Sequence, residues 1–144
     1  GMKTRIMSSF SISDMSEVFS KDEANKALKN GEVIFCACGT GHPYFSTDTG
    51  VVLRALELEC KEILLAKAID GVYDKDPKKF PDAKKYDTLS IDEVVEKRLQ
   101  VIDLSASILC LENRLAMSVF SLEEEDGIFK ALLGEHKGTR VTAD

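Results

Sequence analysis

The residues best equipped for chemistry run from Cys38 to Gly50 and read CGTGHPYFSTDTG. Gly39 and Gly41 flank Thr40, His42 and Pro43 follow, and Tyr44 and Phe45 lead into Ser46, Thr47, Asp48 and Thr49. Glycines so placed let a backbone take positive φ and approach a ligand closely. The hydroxyls offer neutral donors and acceptors for a base edge or a phosphate oxygen, and the aromatic pair could wall a flat ring. Asp48 either favours the positive end of a following helix or orients a cation at the same mouth. The stretch lacks the third glycine of a dinucleotide fingerprint and the G-K-[ST] of a P-loop. At this level two readings stand open: a loop that grips a ligand, or a turn in which glycine bends the chain, Ser46 or Thr47 caps a helix and the aromatics pack.

Other reactive side chains point to less. Cys36, Cys38, Cys60 and Cys110 all lie in apolar segments, and their only close pair has C-x-C spacing. A zinc site would want C-x-x-C pairs or clustered histidines, whereas His42 and His136 stand alone, so no metal site is expected and the cysteines read as reduced and buried. The charged run DKDPKK, residues 74–79, is no EF-hand loop, lacking the turn glycine and final glutamate, and by itself reads as solvated.

Composition sets the frame for these residues. A chain of 144 residues with 44% hydrophobic and 31% charged content suits one globular domain, residues 2–144, with Gly1 a tag remnant. The net charge of −6 argues against nucleic acid or an anionic membrane as partner, since either wants a basic face. No apolar run reaches the roughly 20 residues of a membrane span, and no signal segment opens the sequence, so a cytoplasmic location is expected.

The elements that must position the loop follow from periodicity. EVIFCA (32–37) enters it as a near-continuous apolar run, the pattern of a strand buried on both faces. Val51, Val52, Ala55, Leu56 and Cys60 leave it at helical spacing. Upstream, residues 4–12 read as a strand, and Ser20 with Glu23 forms a capping-box pair before a short helix that Gly31 stops. Downstream come a second buried strand at EILLA, a long irregular polar stretch over 70–87, and a helix opened by Ser90 and Glu93. A helix capped by Asp103, a strand at AMSVFSL, a helix at EDGIFKALLG and a last strand at GTRVTA complete the chain. Strand and helix in alternation predict an α/β fold, a three-layer αβα sandwich around a mostly parallel sheet. In such folds ligands sit at the carboxyl ends of strands, which is where the opening loop lies.

With those elements in place, the loop resembles a known family. GTGHPYFSTDTG is similar to the nucleoside-monophosphate loop of bacterial uridylate (UMP) kinases, of the amino-acid-kinase superfamily, whose pattern is G-T-G-N-P-[FY]-F-[TS]-T-D. AIDGVYDKDPKKFPDAKKYDTLSIDEVV resembles that family's ATP-side segment, VIDLSASILCLEN its V-M-D-x-[TS]-A helix, and GEHKGTRV its G-E-x-x-G-T-x-[VI] ending. The resemblance implies a partial amino-acid-kinase fold and an ATP- and Mg²⁺-dependent transfer from ATP to UMP, giving UDP. It implies UMP contacts at Thr40, Gly41, His42, Pro43, Tyr44, Phe45, Ser46 and Thr47, a catalytic organising acid at Asp48, and ATP contacts at Lys67, Tyr73 and Asp76. Three positions depart from the pattern: His42 replaces asparagine, Ala68 or Lys67 stands where a polar residue touches adenine, and Ala116 replaces a proline at a strand entry.

The resemblance extends over the C-terminal half of a full-length family member. The family's first lysine and glycine-serine loop, its G-G-G phosphate loop, and the arginine and aspartate that hold UMP have no counterpart in this sequence. Phosphoryl transfer rests on such cations and backbone N–H groups, and loss of one charge-stabilising contact lowers rate by about 10²–10³. The expectation is therefore a chain inactive or nearly so by itself, completed by self-association or by a separate chain. The alternatives are a non-catalytic nucleotide-binding or regulatory module, and a remnant that binds nothing.

Overall fold

The computed structural model describes residues 1–143. They form two compact units, Gly1–Cys60 and a second from Lys61 onward. Strands and helices alternate through both, and strand pairing is mostly parallel, as the periodicity predicts. The strands are shared between two hydrogen-bonded sheets, one in each unit.

In the first unit, strand β1 (Thr4–Ser8) lies between β2 (Glu17–Val18) and β3 (Val33–Ala37), parallel to both. The two-residue β2 was not legible as a strand. It is pinned to β1 by the Arg5 guanidinium, which donates to both Glu17 carboxylate oxygens at 3.1 and 2.8 Å. Helix α1 (Lys21–Lys29) starts at Ser20, whose hydroxyl accepts from the Glu23 N–H, and ends before Gly31 at φ 76°. Met7, Ala24, Ala27, Val52 and Ala55 are buried in this unit.

Two expectations about β3 are corrected. Both faces were to be buried, yet Phe35 is 56% exposed, because it stands beside Ile6 of the central β1, itself exposed, on a sheet face left open to solvent. Cys36 on the opposite face of this edge strand is exposed too, as are Cys38 and Cys60 outside the strand, so that Cys110 alone of the four cysteines is buried.

In the second unit the strand order is β4 (Glu62–Lys67), β6 (Ala116–Ser121), β7 (Thr139–Thr142), β5 (Thr88–Ser90). β6 is the most buried strand, with Met117, Ser118, Val119 and Phe120 all enclosed. It runs parallel to β4 and antiparallel to β7. β4 alternates, burying Ile63 and Leu65 and leaving Leu64 partly exposed, which corrects the expectation of burial on both faces. The close pairing of β6 and β7 requires Gly138, where a Cβ would stand 1.8 Å from the Val119 carbonyl oxygen.

The helices start where capping chemistry indicates. Ser90 and Glu93 complete a reciprocal capping box at α3 (Ile91–Glu96), and Asp103 accepts from the Ala106 N–H to open α4 (Leu104–Asn113). Helix α5 (Gly127–Leu132) begins without a side-chain cap. Among the described residues, no buried side-chain nitrogen or oxygen lacks a hydrogen-bond partner, and no helix is long and apolar enough to cross a membrane.

Candidate functional site

The Cys38–Ser46 loop joins β3 to helix α2 (Thr47–Glu57), and its shape comes from four left-handed residues: Cys38, Gly39, Gly41 and Tyr44 at φ 66°, 54°, 74° and 70°. Gly41 has no room for a side chain, since a Cβ would stand 2.7 Å from Ser9 Cβ. Ser9 Oγ in turn donates to the Gly39 carbonyl at 2.5 Å, so the turn after β1 holds the loop from below. Gly50, in the first turns of α2, brings that helix against the loop: a Cβ there would meet the Gly39 carbonyl carbon at 2.9 Å and Thr40 N at 3.2 Å.

Within the loop, Thr40 Oγ1 accepts from the His42 N–H at 3.1 Å, and the Gly41 N–H donates to the Cys38 carbonyl at 3.1 Å. Ser46 is the N-cap of α2, accepting from the Thr49 N–H at 3.2 Å. Asp48 lies half-buried in the first turn of α2, where the helix dipole favours a carboxylate. A cavity of about 310 Å³ opens over this helix start. Thr40, Gly41, His42, Phe45, Ser46 and Thr47 line it together. Pro43 and Tyr44 stand outside it, with the Tyr44 ring fully exposed, and Asp48 is not in its wall. Phe10, which the sequence did not single out, supplies an aromatic wall. Among the described residues no lysine or arginine borders this cavity.

In the second unit, Tyr73 and Asp76 line one cavity of about 300 Å³, which Lys67 does not border. The Tyr73 hydroxyl donates to Asp70 at 2.8 Å, and Lys85 Nζ donates to the other Asp70 oxygen at 3.0 Å and to the Lys137 carbonyl at 3.0 Å. Partial burial pushes the Asp70 carboxyl up, but the hydrogen bonds from Tyr73 and Lys85 outweigh it and hold its pKa below the usual carboxylate value. The same bond to Asp70 raises the Tyr73 phenol. Asp76 accepts from the Lys78 N–H at 3.0 Å and lies 3.5 Å from Lys79 Nζ. Pro77 follows it and fixes the chain direction.

Thr139 staples this loop to the sheet. Fully buried, it donates to the Tyr86 carbonyl at 2.5 Å and accepts from the Val72 N–H at 2.8 Å, and Gly71 beside it has no space for a Cβ. Asp70 and Lys85 lie within the quoted loop but were missed because their pairing needs its folded path, and Thr139 because it is remote in sequence. The G-T-R-V ending was the only signal for Thr139. Lys67 ends β4, its carbonyl accepting from the Leu122 N–H at 2.8 Å. Lys97, Arg98 and Gln100, after α3, complete the second cavity from another segment of chain. Among the described residues no group of three or more His, Cys, Asp or Glu side chains is arranged to hold a metal ion.

Comparison with known proteins bears on the family of the chain. The model of the amino acid kinase family matches residues 1–121. The chain is 45% identical over 140 residues to the uridylate kinase of Psychrobacter sp. (strain PRwf-1), covering 97% of this chain and 58% of that protein. It is 46% identical over the same length to that of Psychrobacter cryohalolentis, with the same coverage. Among solved structures, UMP kinase from Bacillus anthracis superposes with TM-score 0.93 at 34% identity, over 99% of this chain and 59% of that one. UMP kinase from Ureaplasma parvum gives 0.91 at 33% identity, over 98% and 60%. The chain thus spans about 58% of the length of the curated relatives it matches.

Proposed function

The chain belongs to the amino acid kinase family, and on that premise we propose that it is the nucleotide-binding part of a UMP kinase working in the cytoplasm. UMP occupies the cavity at the start of α2, and ATP occupies the cavity bordered by Tyr73 and Asp76. One observation carries the reading: six of the eight loop residues expected to touch UMP line a single cavity at a capped helix N-terminus. Backbone N–H groups there suit an anion, Thr40, Ser46 and Thr47 read uracil and ribose, and Phe45 or Phe10 packs against the ring. In the second cavity Tyr73 offers a face to adenine and Asp76 accepts from ribose hydroxyls.

Asp48 acts through charge, organising cations about the transferring phosphoryl. Mg²⁺, when bound with the nucleotide, neutralises phosphate charge. It needs only one or two protein carboxylates beside the phosphates, so the lack of a three-residue cluster among the described residues is compatible with its arriving on ATP.

The charge distribution limits what these 144 residues do by themselves. Among the described residues the UMP cavity has no lysine or arginine in its wall, and at the ATP cavity Lys75, Lys79 and Lys97 are each paired with a carboxylate, which leaves Arg98 as the lining cation without one. Transfer needs cations on the moving charge, so the chain binds both nucleotides and does not turn over until another copy or a separate chain supplies them. Calorimetric titration with UMP and with ATP tests the binding, and a coupled assay for ADP tests turnover. Binding without ADP is the expected result. Robust ADP formation would refute the inactivity, and absence of UMP binding would refute the site. A non-catalytic nucleotide-binding module, favoured by the same lack of cations, is distinguished by adding candidate partner chains: it would remain inactive with all of them.

A further inference from the structure

The second cavity contains more than an aromatic and an acid. Two of its cations face carboxylates closely, Lys75 on Asp82 at 2.6 Å and Lys97 on Glu93 at 2.7 Å. The Tyr73 hydroxyl is engaged by Asp70. Asp74 accepts from the Lys84 N–H at 2.8 Å, and Asp76 accepts from the Lys78 N–H. The polar lining side chains are therefore charged, apart from two: the Tyr73 hydroxyl, already donating to Asp70, and Gln100. Gln100 is the only lining residue with a side-chain amide. Its side chain is exposed and makes no hydrogen bond among the described residues.

We propose that Gln100 selects adenine over guanine in this cavity, a role that rests on reading the cavity as the ATP seat. Adenine presents an amino donor beside a ring-nitrogen acceptor, and one amide, with its carbonyl and NH₂, meets both at once. Guanine presents two acceptors on the corresponding edge, which match a donor-only guanidinium. Among the described lining side chains Gln100 is thus the one with a separate neutral donor and acceptor to meet both groups of adenine, while the flanking Leu99 and Ile69 supply apolar surface to the ring. Arg98, also in the wall, is donor-only and complements phosphate or guanine instead. Gln100 acts on base choice and has no part in moving the phosphoryl group.

The test is calorimetric titration of the intact chain, wild type and Gln100→Ala, with ATP and with GTP, alongside thermal unfolding of both proteins. The wild type is expected to bind ATP more tightly than GTP. Gln100→Ala should weaken ATP by about 5- to 150-fold, the range for one bidentate base contact, leave GTP unchanged, and unfold at the wild-type temperature. Gln100→Glu, which keeps the acceptor and loses the donor, should also lose the ATP preference. An ATP-to-GTP ratio unmoved by either substitution, an equal loss for both nucleotides, or a wild type that prefers GTP would each overturn the assignment. A wild type that binds neither purine nucleotide would overturn the reading of the cavity on which the assignment rests.

Discussion

Asp70 joins two side chains to one carboxylate, and pH exposes that arrangement. Its depressed pKa means the charged form is favoured in the folded state, so its stabilisation is present above the unfolded carboxylate value near 3.9 and is lost as pH falls through the lower folded value. Tyr73 is raised, so its share is present below about 10 and is lost as pH rises through the folded value. Asp70→Asn should flatten the acid limb of a stability-against-pH curve, by less than about 1 kcal/mol because the carboxylate is half exposed and screened. Thr139 is a stricter case. Thr139→Val keeps the shape but leaves the Val72 N–H and Tyr86 carbonyl without their partner, a loss of about 2–4 kcal/mol, read as a lower urea midpoint at unchanged slope. The cysteines differ by environment. Burial pushes Cys110 up to about 11, and Cys36, although its surface is open to solvent, is also raised, chiefly by partial desolvation and against the pull of Arg54. Alkylation in mild alkali should label Cys38 and Cys60 first, Cys36 later, and Cys110 only on unfolding. UMP should protect Cys38 alone, because Cys38 borders the first cavity.

At the scale of elements, the β3–α2 junction depends on the approach of two backbones. Gly50→Ala places a methyl against Gly39 and Thr40. Backbone cannot yield as a flexible side chain would, so a loss of about 1–3 kcal/mol is expected, with weaker UMP binding because the loop itself shifts. Removing the Ser46 cap tests the same junction more gently: Ser46→Ala should lower stability by about 1 kcal/mol. Together the two substitutions separate loop shape from helix capping, since Gly50→Ala should reduce UMP affinity by more than its effect on stability suggests. In the second unit the Asp103 cap supports α4, and Asp103 borders neither cavity. Substitutions there should change stability and leave nucleotide affinity intact.

At the scale of the whole molecule, apolar surface is conspicuous. Ile6 of β1 and Phe35 of the edge strand β3 lie side by side across the strand pair, and α5 exposes Ile128, Phe129 and Leu132. Unpaired strand edges and patches of this kind favour association. Sedimentation at micromolar concentration should show concentration-dependent self-association despite the net charge of −6, and Phe35→Lys should weaken it without unfolding the chain. A wild-type monomer at all concentrations would count against this.

Much of this molecule was determined by sequence alone, for a local physical reason. Capping by Ser20, Ser46, Ser90 and Asp103, the left-handed glycines of the loop and the strand–helix alternation are short-range effects, and each is present where the residues indicate. The Cys38–Gly50 stretch could be read as a ligand loop because its motif is contiguous. What tertiary structure alone decided is long-range. It left β3 at a sheet edge with Cys36 exposed, and turned β7 antiparallel to β6. It also brought Thr139 beneath a loop 53 residues away in the chain and placed Gln100 in the same cavity wall as Tyr73. Periodicity reports which faces of an element are apolar, but not which neighbour covers them. That depends on contacts between segments far apart in the chain.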